Sequence, residues 1–91
     1  MSEQSGSFHA PRAARRAIES SFSRLYRATF GGSPPASNPR AVDLLWNASG
    51  GRLGTIRSRM ALIVRGAAAR GYRIDLGVVW TRWSETRGRA A

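Results

Sequence analysis

NPRAVDLLWNASGGRLGTIRSRMALIVRGAAARGYRID, running from Asn38 to Asp75, decides the fold of this 91-residue chain. Asn38 followed by Pro39 reads as a helix N-cap and the first helical residue. The Asn side chain accepts from an orphan backbone amide, and proline lacks the N–H that would go unused there. Val42, Leu45 and Trp46 share one face of the short helix that follows, and Gly50-Gly51 closes it. A longer helix is expected from Leu53 or Thr55 to Arg70, with Leu53, Ile56, Met60, Ile63, Val64 and Ala67 along one side. Gly71 is its stop. Arg65 points away from that side, and Arg57 and Arg59 lie on its two borders.

Toward the N-terminus, Ser33-Pro34-Pro35-Ala36-Ser37 is a break, because neither proline can continue a helix. Before it, Ala14, Ile18, Phe22, Leu25, Tyr26 and Thr29 recur at spacings of three and four, which predicts a helix over 11–30. Pro11 suits its first turn and Gly31-Gly32 its end. Arg16, Arg24 and Arg27 fall opposite the apolar stripe, while Arg12 and Arg15 flank it. Glu19, one helical step from Arg15, is expected to pair with it.

Toward the C-terminus two readings stay open. Asp75 can cap a further helix with Leu76, Val79, Trp80 and Trp83 as its apolar face, at a cost of about 1 kcal/mol for Gly77 relative to alanine. Alternatively, Tyr72-Arg73-Ile74 and Val78-Val79-Trp80-Thr81 form a small β-hairpin around a Leu-Gly turn. The fold class is therefore mainly α: a compact three- to four-helix domain whose C-terminal segment is helix or small β-hairpin. Residues 1–9 read as a flexible polar tail, 10–86 as a single helical domain, and 87–91 as a frayed basic end. The expected core is Ile18, Phe22, Leu25, Ile56, Met60 and Ile63, joined by Trp46 and Trp80. If one tryptophan is exposed, Trp83 is the choice.

Charge is the strongest compositional signal. Fifteen basic residues, all arginine, face five acidic ones for a net charge of +10. The absence of lysine has two readings, the codon bias of a GC-rich genome or the bidentate grip of guanidinium on phosphate. Codon bias does not account for the excess of charge itself. So large a charge on so small a domain costs self-repulsion and favours polyanionic partners. The helix over 11–30 carries five arginines against one glutamate, without the mixed signs of a merely solvated face.

Enzyme chemistry is poorly supplied. Acid–base work needs a titratable pair in a pocket, and the candidates are Glu3, Glu19, Asp43, Asp75, Glu85 and His9. Asp75 reads as a cap, Asp43 as a first-turn residue favoured by the helix dipole, and Glu3 and His9 lie in the tail. The same shortage argues against a metal site, and the expectation is no enzyme, no metal and no cofactor. The chain contains no cysteine, so disulfides and thiol chemistry are excluded. No apolar run approaches the roughly 18 residues needed to span a bilayer, and the first residues lack the features of a signal peptide. The chain reads as cytoplasmic.

Gly50-Gly51-Arg52-Leu53-Gly54-Thr55 is a candidate anion site, since glycines before a helix let amides turn toward a phosphate, with Arg52 and Arg57 adding charge. The plainer alternative is a flexible cap joined to a helix start.

Residues 38–75, as helix, glycine turn, longer helix and Arg-Gly-Tyr-Arg-Ile-Asp, resemble the helix-turn-helix and winged-helix modules of small phage and mobile-element regulators. That resemblance implies a second helix in the major groove and a wing or arm on the backbone. It would turn Arg52, Thr55, Arg57, Ser58 and Arg59 toward the bases and put Arg73 and Arg82 in or near the wing. Arg16, Arg24 and Arg27 form a second candidate binding face, and a homodimer is compatible with such a reader. The leading expectation is a nucleic-acid-binding protein, with DNA preferred over RNA. A phage-type inhibitor of a host nucleoprotein complex, of the anti-CRISPR kind, is one alternative. A structural RNA- or DNA-packing protein is the other.

Overall fold

A computed structural model describes residues 9–90, with side chains as far as Thr86. It contains four helices: α1 (Arg12–Phe30), α2 (Pro39–Ala48), α3 (Leu53–Ala69) and α4 (Leu76–Ala90). The expected tail lies, His9 apart, outside the described residues.

Each boundary has a local cause. Pro11 precedes α1 rather than lying within it, and Gly31, at φ 76°, turns its N–H back to Arg27 O. Asn38 Oδ1 accepts from Ala41 N at 3.1 Å and Pro39 opens α2, as its sequence predicts. α2 ends in a Schellman motif, with Gly50 N donating to Asn47 O and Gly51 N to Trp46 O. α3 ends the same way, Gly71 N donating to Ala68 O and Tyr72 N to Ala67 O. Gly71 adopts φ +84°, a left-handed conformation that strains any side-chain-bearing residue.

The C-terminal alternatives resolve to helix. Asp75 Oδ1 accepts from Val78 N at 2.9 Å, and no strand occurs among the described residues. Leu76, Val79 and Trp83 recur at helical spacing and are all buried, which gives α4 a reason to dock. Among the described residues no hairpin is present to serve as a wing: Arg73 lies in the α3–α4 turn and Arg82 on α4.

α1 makes its broadest contact with α3 and also packs on α2, while α4 packs against α2 and α3. Ser21 meets Arg57, and further along Tyr26 meets Arg73 beyond the end of α3, so α1 and α3 run in the same direction. Ile18, Phe22, Tyr26, Val42, Leu45, Ile56, Met60, Val64, Leu76 and Val79 fill the core. Leu25, Ile63, Trp46 and Trp80 are only half-buried at its margin. Trp83, the choice if one tryptophan were exposed, is instead 0% exposed and the largest fully buried side chain. Trp80 lies on the same helical face, at its edge, and stays half-buried.

A second correction concerns α1 and α2. Arg15 does not pair with Glu19. It reaches Asp43 Oδ1 on α2 at 2.9 Å, while Glu19 accepts from Ser37 Oγ. Asp43 also accepts from Ala10 N at 2.7 Å and lies 2.8 Å from His9 Nδ1. It lies beyond the first turn of α2, so its role is to clamp the chain before α1 onto α2. Partial burial opposes its charge, but the Ala10 amide, the His9 ring and the Arg15 guanidinium together hold its carboxyl below the usual range. No described helix is long and apolar enough to cross a membrane.

Candidate nucleic-acid interface

α3 presents a narrow outer strip. Gly54, Thr55, Ser58, Leu62, Arg65, Gly66 and Ala69 are all exposed and share the side opposite Ile56, Met60, Val64 and Ala67. Most of these side chains are small, so α3 stands as a slender ridge with a groove on each flank. The groove toward α1 has a volume of about 460 Å³ and is lined by Ser21, Arg24, Leu25, Arg57, Met60 and Ala61. The groove toward α4 has a volume of about 420 Å³ and is lined by Leu62, Ile63, Gly66, Ala67, Arg70, Arg82, Glu85 and Thr86.

The arginines along these grooves are oriented by neutral groups. Arg57 Nε donates to Ser21 Oγ at 3.0 Å, and Arg24 donates to Ser20 Oγ at 3.2 Å. Arg59 lays its guanidinium 4.1 Å from the centre of the Trp83 ring, a cation–π contact. A serine hydroxyl or an indole face fixes where a guanidinium sits and leaves its charge intact. Arg15 is the only arginine in a salt bridge among the described residues, and Glu85 is the only carboxylate lining either groove.

These placements divide the sequence-derived candidates. Gly54, Thr55, Ser58 and Arg57 lie on or beside the ridge, exposed, and Arg52 is exposed at its start. Arg24 and Arg82 line the flanking grooves. Arg59 is half-buried over Trp83 instead of facing outward. Arg16 and Arg27 are exposed on the outer side of α1, so positive charge also extends away from α3. Arg73 donates to Tyr26 Oη and to Phe30 O, each at 3.4 Å, beside the end of α1. Sequence reasoning left out Arg65 and Arg70. The outward phase of Arg65 was already visible, but the groove that receives Arg70 requires α4 to be in place.

The glycine loop differs from an anion cradle. The amides of Gly50 and Gly51 close α2, and Arg52 N donates to Ser49 Oγ at 3.1 Å. Three of the amides that a phosphate would need are thus already engaged, and the first-turn amides of α3 are what remains. Among the described residues no group of three or more His, Cys, Asp or Glu could hold a metal ion. No protein-family model, curated protein or solved structure matches this chain.

Proposed function

We propose that the protein binds nucleic acid in the cytoplasm without catalysis, laying the α3 ridge and its two arginine-lined grooves against a phosphate backbone. The observation that carries this reading is the absence of local compensation around α3. Arg24, Arg57, Arg65, Arg70 and Arg82 have no carboxylate in salt-bridge reach among the described residues, and Glu85 stands alone against them. Guanidinium groups left with full charge release counterions from a polyanion when they bind it, and that release drives association. A ridge of small side chains suits the wide major groove of B-form DNA better than the deep, narrow one of RNA helices, so DNA is the favoured target.

The test replaces Arg57 and Arg65 with alanine together and measures affinity for a short mixed-sequence duplex across a salt series. Affinity is expected to fall about tenfold, with the log–log salt slope shallower by roughly two phosphate contacts. Helix content should not change, because both side chains are exposed. Unchanged affinity and slope would reject the α3 face. Capture of a host protein complex that survives nuclease would favour the inhibitor reading.

A further inference from the structure

The turn between α3 and α4 displays an aromatic ring that the fold does not use. Tyr72 is 56% exposed, one of two large hydrophobic side chains so placed among the described residues, the other being Leu62. Among the described residues its ring stacks on no other ring and its hydroxyl has no hydrogen bond. Yet the backbone that carries it is pinned on both sides. Tyr72 N donates to Ala67 O at 2.9 Å, Ile74 is buried in the core, and Asp75 caps α4. Such a turn has little freedom to fold the ring away.

Its neighbours add chemistry. Arg70, before it, lines the α3–α4 groove. Arg73, after it, is steered by Tyr26 Oη and Phe30 O and lies 5.9 Å from the Phe30 ring centre, so neutral groups again set its direction. Between them a Cβ on Gly71 would meet nothing within 4 Å, leaving the approach to the turn open. An exposed aromatic on a rigid backbone, with one arginine two residues before it and another directly after it, is suited to stack an unpaired base while the neighbouring charges hold its phosphates.

We infer that Tyr72 is a stacking platform for an unpaired nucleobase, so that the preferred ligand is duplex DNA continuing into a single strand. This rests on the nucleic-acid reading of the α3 face and adds a substrate class to it. Stacked bases inside a duplex offer no open face, whereas a base beyond the junction does.

The experiment compares wild type, Tyr72→Ala and Tyr72→Phe on two probes: a blunt duplex and the same duplex with a single-stranded overhang. Wild type should prefer the overhang probe by about tenfold. Tyr72→Ala should remove that preference and leave blunt-duplex affinity and salt slope unchanged, while Tyr72→Phe keeps it. No preference in wild type, or a preference surviving in Tyr72→Ala, overturns the stacking role. Equal weakening on both probes overturns it too. Salt-dependent blunt-duplex binding in those cases would leave the α3 proposal standing, whereas no binding to either probe would remove both.

Discussion

Arg15 and Arg57 are both arginines crossing from one helix to another, and they are held in opposite ways. Arg15 joins α1 to α2 through the Asp43 carboxylate, and its charge is neutralised inside the fold. Arg57 joins α3 to α1 through the Ser21 hydroxyl, which orients the guanidinium without cancelling it. One is a structural clamp, and the other leaves its charge available for a ligand. Arg59 on the Trp83 ring and Arg73 on Tyr26 and Phe30 follow the second pattern. In a chain with five acidic residues, the choice of neutral partners is what keeps the α3 side positive.

The sharpest way to break this contrast is at Asp43. Replacing it with alanine strands Arg15 and the Ala10 amide, and unfolding by urea should show a loss of about 2 kcal/mol. Nucleic-acid affinity should stay within twofold, since the α3 face is untouched. A large affinity loss in folded protein would mean the two regions are not separate. The same residue sets a pH signature. A carboxyl held below its usual range stabilises the fold at neutral pH, and that contribution disappears as pH falls through the lowered value. Asp43→Asn should therefore lose less stability than wild type on acidification below about pH 4.

A smaller effect is expected at Arg59. Arg59→Ala uncovers one face of Trp83 and should cost about 1 kcal/mol from the lost cation–π contact, read as a lower denaturation midpoint and altered tryptophan fluorescence. Affinity should change less than for Arg57, because Arg59 is already half-buried. A drop in affinity matching the Arg57 effect would place Arg59 in the interface. Ser21→Ala is the smallest change. It frees Arg57 to wander, and losing an orienting hydrogen bond worth roughly 0.5 kcal/mol should weaken binding about twofold. No change would show that the hydroxyl does not position the guanidinium.

Much of the fold was legible because its signals are local. Asn38-Pro39, Gly50-Gly51, Gly71 and Asp75 act on backbone amides within a few residues, so helix boundaries could be read in order along the chain. Trp83 was misjudged because both Trp80 and Trp83 fit an amphipathic face, and only docking against α3 ranks them. The Arg15–Glu19 expectation failed for a related reason. A neighbour four residues away is always within reach, but Asp43, 28 positions along, also receives an amide and a histidine ring and makes the stronger site.

For the candidate interface the division runs along the same line. Net charge, the outward arginines of α1 and α3 and the small residues of the α3 strip were all present in the order of amino acids. Which arginines keep their charge was not, because that depends on what lies across each helix–helix contact. Helix periodicity determines which side of its own helix a residue occupies. Only tertiary packing decides whether the group opposite is a carboxylate that cancels a guanidinium or a hydroxyl or ring that merely aims it.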